Sequence, residues 1–350
     1  MPRHSALESC LCFIIMFQSF SDILRVTTTL RAANASTRDR VLAEWDTRTK
    51  PPGSLGRLEE LAAWVASVQD TPDAPKASRM SLRLFGGAHG ITAEGVSAVP
   101  DSVNQQMMQN FHHGGAAINA LCRSNGIDFR FYDAGINHPT RNFLHEAAMS
   151  ESETVEAFTL GWQSVPRFTD VFAVGEMGIG NTTPSVAILS AITGVPAETI
   201  IGRGTGLSDP ALAHKTAVIQ KALENRSPEF GSPLSILASV GGREIAAMTG
   251  AILSAASMRI PVVLDGVIAG AAAAIAFELN PACISCCIAG HRSAEPAHDC
   301  FLRHYGLRPL LDFGMRLGEG TGAAVAMGIV RNAVDAFNQM ATFVQAGVVI

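Results

Sequence analysis

The stretch Gly175–Thr183, which reads GEMGIGNTT, constrains the fold of this chain more than any other segment. It follows the apolar, strand-like run Phe168–Val174 and precedes the helix-like run Ser185–Ile192. A glycine-rich turn between a strand and a helix lets backbone N–H groups approach a ligand, and the helix dipole favours negative charge there. The pattern therefore predicts an anion site within an α/β fold.

The anion at this turn is not expected to be a nucleoside triphosphate hydrolysed by a P-loop. The spacing from Gly175 to Gly180 matches the first half of a P-loop, but Asn181 stands where that motif requires lysine. Glu176 also places a carboxylate inside the turn, which a site for phosphate alone would not favour. These residues predict a phosphate-bearing substrate whose reacting part lies near an acid or a base.

The composition favours a compact α/β enzyme and argues against nucleic acid as a partner. Hydrophobic residues make up 47% of the 350 residues, charged residues only 16%, and there are 32 glycines. Such a composition is typical of buried parallel strands and close helix packing. The net charge is −5 without a long basic run, and 6% aromatic residues offer few stacking surfaces for bases.

The apolar run from Ala251 to Phe277 is not expected to span a membrane. Arg259, Pro261 and Asp265 interrupt it near its middle. A membrane helix needs about 20 consecutive apolar residues, whereas a helix–strand–helix unit explains this run without a bilayer. No membrane span is therefore predicted.

The seven cysteines form no regular framework, which is typical of reduced thiols in a cytoplasmic protein. Cys283, Cys286 and Cys287 contain a CxxC motif, and His291 and His298 follow it. A structural zinc site normally shows two well-spaced pairs of ligands, whereas these cysteines lie in the apolar run CISCCIAG. Buried structural thiols are therefore preferred over a zinc site.

Residues 1–27 form an unusual extension that we expect to be disordered. The apolar run Cys10–Phe17 has Arg3 and His4 ahead of it, as in a signal peptide. The run is short, however, and no A-x-A cleavage site follows. Export is therefore not expected.

Strand-like and helix-like segments alternate along the chain, which predicts a parallel, Rossmann-like sheet with helices on both faces. Ligands of such sheets bind beyond the carboxyl ends of the strands. Asp265, at one such end, either hydrogen-bonds a ribose hydroxyl or caps the next helix. The groups that follow predicted strands are His89, Asp133, Glu176, Asp265 and the 289–295 loop. The predicted strands include Ser81–Gly86, Asp128–Asp133, 168–174 and Ile260–Asp265.

A second glycine-rich stretch, Arg316–Ala324 (RLGEGTGAA), carries a carboxylate at the start of a predicted helix. Glu319 there is either a partner of the helix dipole or a catalytic group, and spacing alone leaves both open. The similar glycine loops Gly175–Gly180 and Gly202–Gly206 favour a single pocket wall. Lys215, on the helix after the second of these, is either a ligand of a phosphate or a substrate carboxylate, or a solvated surface lysine.

Two other functions remain open from the residues alone. A metal-assisted hydrolase would use His89, Asp133, His291 and His298 and would lose its activity with a chelator. A non-catalytic module would bind a nucleotide or a base and would not need Glu319. For His89 and His291 a structural hydrogen bond is at least as good an interpretation as catalysis.

Nine motifs follow one another along the chain: KPPGSLGRLE, HGITAEGVSAVP, QMMQNFHHGGAA, GEMGIGNTT, GRGTGL, VGGREIAAMTGA, GHRSAEP, RLGEGTGAA and MATFVQAGV. Together they resemble the nicotinate-nucleotide–dimethylbenzimidazole phosphoribosyltransferase family of the cobalamin nucleotide-loop pathway. The resemblance runs from about Arg38 to the C-terminus. Several of the motifs are long and specific, and only the N-terminal extension lies outside them.

The resemblance implies transfer of 5-phosphoribose from nicotinate mononucleotide to 5,6-dimethylbenzimidazole, which gives α-ribazole 5′-phosphate and nicotinate with inversion at the anomeric carbon. Glu319 matches the catalytic glutamate of the family, and Glu176 and Lys215 match further positions of the active site. Neither a metal nor a cofactor is implied. The other residues expected to bind substrate are Ser97, Gln106, Gly175, Gly178, Gly180, Asn181, Gly202, Gly204, Asp265, Ser293 and Leu317.

The resemblance also implies a parallel six-stranded core, a small helical domain built from both chain ends, and a homodimer. The expected boundaries are 28–75 for the N-terminal helices, 76–325 for the α/β domain and 326–350 for the C-terminal helical part. Val99 stands where the family often has an aromatic residue, so a looser pocket for the base is expected.

Overall fold

The computed structural model describes residues 16–204 and 206–349 and is built around one parallel sheet. Its five strands have the order β2-β1-β3-β4-β5, and every neighbouring pair is parallel. The predicted parallel α/β fold is confirmed, although the sheet has five strands in this part of the chain and not the six that the resemblance implies. The strands are β1 (Met80–Gly86), β2 (Ile127–Asp133), β3 (Val171–Met177), β4 (Val262–Leu264) and β5 (Cys287–Ala289).

Helices surround this sheet and bury both of its faces. Successive side chains of a strand point to opposite faces, so Phe172 and Val174 join one hydrophobic core while Val171 and Ala173 join the other. The helices are α1 (Phe20–Thr27), α2 (Ala35–Trp45), α3 (Arg57–Gln69), α4 (Ser102–His113), α5 (Ala117–Asn125), α6 (Glu151–Ser164), α7 (Thr182–Thr193), α8 (Ala197–Ile200), α9 (Asp209–Arg226), α10 (Pro233–Val240), α11 (Arg243–Ser257), α12 (Val267–Leu279), α13 (Pro296–His304), α14 (Thr321–Gln339) and α15 (Phe343–Ala346).

Helices from the two ends of the chain pack against each other on one face of the sheet. The ring of Trp45 in α2 meets the ring of Phe337 in α14 edge to face, with centroids 5.1 Å apart. Both residues belong to the core that also contains the α3 side chains and strand residues such as Leu82. The chain ends therefore share one core with the sheet, and their division into a separate small domain stays a prediction.

The N-terminal extension differs from its expectation wherever the structure describes it. Ser19 caps α1, and Phe17 is buried with edge-to-face contacts to Phe158 and Trp162 at 5.3 and 5.2 Å. Burying an aromatic ring in this way stabilises the segment, so the expectation of disorder is wrong for residues 16–27. Residues 1–15, and with them most of the Cys10–Phe17 run, lie outside the described residues.

The apolar run from Ala251 to Phe277 folds as expected from the residues that interrupt it. It forms the end of α11, the strand β4 and most of α12. Across residues 16–204 and 206–349, no helix has both the length and the apolar character that crossing a bilayer requires.

Candidate active site

A cavity of about 410 Å³ lies beyond the carboxyl ends of the central strands. Glu176 comes from the end of β3, Gly266 follows β4, and His291 follows β5. This is the edge at which a parallel α/β sheet binds its ligands. Ten of the predicted site residues line the cavity: Ser97, Glu176, Gly178, Gly180, Asn181, Gly204, Lys215, Ser293, Leu317 and Glu319.

Glu319 is held in an unusual turn at the wall of this cavity. Gly318, Glu319 and Gly320 have φ angles of 85°, 61° and 80°, so all three adopt the left-handed conformation. This conformation costs a residue with a side chain about 1 kcal/mol or more, and it persists only where the surroundings enforce it. Part of that enforcement comes from β3, because a Cβ at Gly175 would lie only 2.5 Å from the carbonyl oxygen of Glu319.

Glu176 lies against the same turn and is kept uncharged. Asn181 donates a hydrogen bond from Nδ2 to its Oε2, and its Oε1 lies so close to Gly318 that a side chain there would collide with it. Burial raises the pKa of Glu176 to about 8; the hydrogen bond from Asn181 lowers it, and the nearby carboxylates of Asp265, Glu244 and Glu319 raise it further. A carboxyl group with this pKa is mostly protonated at neutral pH.

Glu319 is the second buried carboxyl group at this wall, and its pKa is also raised. Burial raises its pKa, the backbone N–H of Ile118 at the start of α5 lowers it, and the charge of Asp265 raises it. A buried carboxylate whose pKa lies above its usual value binds a proton more readily than an exposed one. The wall of the cavity therefore carries two carboxyl groups whose pKa values are both raised, as suits a group that takes up a proton.

One part of the cavity wall is cationic. Lys215 of α9 is 1% exposed, and its Nζ donates a hydrogen bond to Thr182 Oγ1 over 2.6 Å. Burial lowers the pKa of Lys215 to about 8, and Glu295 opposes this effect. Because Thr182 is the first residue of α7, the ammonium group lies where the helix dipole also attracts an anion.

The comparisons with known proteins agree on one family. The family model described as "Phosphoribosyltransferase" matches residues 30–348. The nicotinate-nucleotide–dimethylbenzimidazole phosphoribosyltransferase of Mesorhizobium japonicum is 45% identical over 332 residues, which cover 95% of this chain and 98% of that protein. The enzyme of the same name from Cereibacter sphaeroides is 46% identical over 333 residues, which cover 95% of this chain and 98% of that protein. The chain belongs to this family.

A solved structure agrees with the sequence relatives. The crystal structure of CobT from Thermus thermophilus superposes with a TM-score of 0.86 at 36% identity, covering 90% of this chain and 99% of that one. The resemblance read from the nine motifs is thereby confirmed. The family model and the relatives extend upstream of Arg38, where the motif-based resemblance began.

Four predicted substrate residues of this phosphoribosyltransferase do not line the cavity. Gln106 is exposed on α4, whereas its neighbour Met107 does line the cavity. Gly175 lies behind Glu319, and Gly202 lies against the carboxylate of Glu295. The fourth, Asp265, is buried behind the wall, where it accepts hydrogen bonds from the backbone of the turn and of α14. The prediction that Asp265 caps the next helix is wrong, because α12 has Gly266 as its N-cap residue without a side-chain hydrogen bond; Asp265 binds the start of α14 instead.

Sequence reasoning missed three charged residues and most of the apolar lining of this phosphoribosyltransferase. Arg203, Glu295 and Arg316 line the cavity, although each lies in or next to one of the glycine-rich motifs. Their position in those motifs was the signal that could have identified them. The apolar lining consists of Val96, Val99, Val103, Met107, Met177, Ile179, Leu207, Val267, Ile268 and Leu317.

The residues proposed for a metal site have other partners. His89 Nε2 lies 2.8 Å from Glu244 Oε1, and neither side chain is exposed. His298 accepts a hydrogen bond from the Ser293 N–H over 2.9 Å, and Asp133 accepts two from its own loop. The part of the chain that the structure describes contains no group of three or more His, Cys, Asp or Glu side chains suited to a metal ion. The five cysteines it describes, Cys122, Cys283, Cys286, Cys287 and Cys300, are free and buried.

Proposed function

We propose that this phosphoribosyltransferase transfers the 5-phosphoribosyl group of nicotinate mononucleotide to 5,6-dimethylbenzimidazole, which gives α-ribazole 5′-phosphate and nicotinate for the nucleotide loop of cobalamin. The observation that carries the proposal is the position of Glu319, a buried proton acceptor on a constrained turn at the wall of the cavity. The names of relatives that align over nearly the whole chain support the same reaction.

The chemistry of the transfer requires one base and no acid. The bond between the anomeric carbon and the pyridinium nitrogen breaks, and its electron pair returns to the ring, so nicotinate leaves without taking up a proton. One nitrogen of the benzimidazole attacks the anomeric carbon from the opposite face, which inverts its configuration. The other nitrogen then loses its proton to Glu319. General-base catalysis by a placed carboxylate contributes about 10²–10⁴-fold to such a step.

Two parts of the cavity wall suit the two parts of the reacting pair. The 5′-phosphate would lie near Lys215 and the first turn of α7, where a cation and backbone dipoles favour negative charge. The flat, apolar benzimidazole would lie among the valine, methionine and leucine side chains of the lining. Glu176, neutral and hydrogen-bonded to Asn181, would assist without competing for the proton.

The test is incubation with nicotinate mononucleotide and a panel of benzimidazoles and purines. We expect release of nicotinate that depends on the base, and a product with the mass of ribazole phosphate and the α configuration by NMR. Release of nicotinate at the same rate without any base would indicate a hydrolase and would contradict the proposal. Tight binding of both compounds without turnover would favour the non-catalytic alternative.

Removal of metal ions is expected to leave this activity unchanged within about twofold, because a pyridinium leaving group needs no Lewis acid. The measurement is turnover after dialysis against EDTA, compared with a sample dialysed against buffer alone. A loss that added Zn²⁺ or Mg²⁺ restores would favour the metal-assisted hydrolase of His89, Asp133, His291 and His298.

We also propose that the protein acts in the cytoplasm as a homodimer, as the resemblance to the family implies. Support for a reducing compartment comes from the five described cysteines, all of which are free thiols. The exposed apolar side chains Phe313 and Leu317, at 69% and 59% exposure, lie in the segment that leads to the Glu319 turn. A partner subunit that covered them would also border the cavity.

A further inference from the structure

Asp265 binds the segment that carries Glu319 and does not line the cavity. Its Oδ2 accepts a hydrogen bond from the Gly320 N–H over 3.2 Å, and its Oδ1 accepts one from the Ala323 N–H over 3.0 Å. The side chain of His291 approaches the same carboxylate, with Nε2 3.4 Å from Oδ1. Asp265 is 2% exposed, so both of its oxygens are occupied from within the protein.

We propose that Asp265 is a positioning residue that holds Glu319 in place through the backbone of the turn and of α14. This inference rests on the proposed function, because it concerns the base of that reaction.

The two hydrogen bonds allow one carboxylate to hold both the Glu319 turn and the start of α14. Gly320 directly follows Glu319 and has a φ of 80°, and Ala323 lies in the first turn of α14. One carboxylate therefore binds the turn and the helix start together, and this fixes the direction in which α14 leaves the turn. A negative charge at the N-terminus of a helix is itself favourable.

The turn requires such support because its conformation is costly. Among the described residues other than glycine, only Asp70, Arg259 and Glu319 have positive φ angles, and of these only Glu319 lines the cavity. Without the two hydrogen bonds, the turn keeps its internal bond from the Thr321 N–H to the Gly318 carbonyl over 3.0 Å, and we expect the peptide after Glu319 to shift. A displacement of a catalytic group by about 1 Å can cost about 10²-fold in rate.

The experiment is a double-mutant cycle of Asp265→Asn and Glu319→Gln. Asparagine retains one acceptor oxygen but presents an amide N–H to the other backbone N–H, so one hydrogen bond becomes a repulsion. In the wild-type background we expect kcat to fall about 10–100-fold while KM for nicotinate mononucleotide changes less than about threefold. In the Glu319→Gln background we expect Asp265→Asn to change kcat less than about twofold, because the group that it positions is already absent.

The matched control is Asp133→Asn. Asp133 also ends a strand and accepts hydrogen bonds from two backbone N–H groups, those of Gly135 and Ile136, but it does not line the cavity. We expect this variant to keep the wild-type kcat. Equal losses of kcat in the Asp133 and Asp265 variants would mean that any carboxylate bonded to the backbone at a strand end affects turnover. That result would overturn the proposal.

The outcomes separate this proposal from the one on which it rests. If Glu319→Gln alone keeps nearly full turnover, the base assignment fails and the role of Asp265 fails with it. If Glu319→Gln loses turnover but Asp265→Asn lowers kcat by the same factor in both backgrounds, only the present proposal fails. Should Asp265→Asn melt too early to assay, Asp265→Ser replaces it in the cycle. If neither variant folds, Asp265 is required by the whole fold and the proposal is overturned.

Discussion

Replacing Glu319 by glutamine is expected to lower kcat by about 10²–10⁴-fold, since an amide cannot take the proton that the benzimidazole loses. Binding of nicotinate mononucleotide is expected to survive, because glutamine has the same shape and the cationic part of the cavity wall is unchanged. The measurements are steady-state turnover and calorimetric titration of the nucleotide.

The pH dependence of the wild-type enzyme gives a second readout of the same residue. Burial raises the pKa of Glu319 above its ordinary value of 4.5, and a base is active only when deprotonated. Activity should therefore fall as the pH is lowered through that raised pKa, and the residual activity of Glu319→Gln should lack this acidic limb. Turnover near the wild-type level in the variant would show that Glu319 is not the base.

A buried glutamate elsewhere in the chain is the control for this substitution. Glu59 of α3 is 7% exposed and forms an ion pair with Lys50 Nζ over 2.8 Å, but it does not line the cavity. Glu59→Gln is expected to lower thermal stability, because it leaves the buried Lys50 without its charged partner. The kcat of its folded fraction should equal that of the wild type.

The fold class and the approximate position of the site could be predicted from the sequence, because both depend on local patterns. Glycine-rich turns after apolar runs marked the carboxyl ends of strands, and in a parallel sheet these ends must lie at one edge. Glu176 follows this rule, whereas Glu319 and Lys215 line the cavity although neither follows a strand. The run 168–174 was placed a few residues too early, since β3 continues to Met177 and therefore contains Glu176.

What the sequence could not supply depends on contacts between segments that are distant along the chain. The protonation of Glu176 follows from its burial against Gly318, which lies in a different motif far along the chain. The role of Asp265 likewise follows from its hydrogen bonds to Gly320 and Ala323. The segment that leads into α1 is held in place because Phe17 packs against Phe158 and Trp162 of α6. No local sequence pattern indicates this contact.

Replacing Lys215 by methionine is expected to raise KM for nicotinate mononucleotide about 10–100-fold, with a much smaller change in kcat. Its ammonium group would bind the 5′-phosphate, and a hydrogen bond to a charged group contributes about 1.5–3 kcal/mol. Methionine has a similar length and fills the same space without the charge. The control is Lys221→Met on the same helix, since the side chain of Lys221 is 62% exposed and its ammonium group pairs with Glu224.

The same substitution is expected to raise the stability of the free protein at neutral pH. Burial lowers the folded-state pKa of Lys215 from 10.5 to about 8. Burying the charged ammonium group therefore lowers the free energy of unfolding, and this cost is fully present below about pH 8. The wild type should therefore gain stability as the pH rises from about 8 toward 10.5, and Lys215→Met should lack this gain. Thermal melting across that pH range measures both effects.

A loss of affinity together with a gain in stability would identify Lys215 as a residue kept for its ligand. A lysine that only supported the fold would give the opposite result, because its removal would lower the melting temperature and leave KM unchanged. Bound nicotinate mononucleotide should also stabilise the wild type more than Lys215→Met, since a phosphate restores the favourable environment that burial removes from the ammonium group. The cationic part of the cavity wall is thus destabilising when empty and stabilising when filled, which is the expected property of a preorganised anion site.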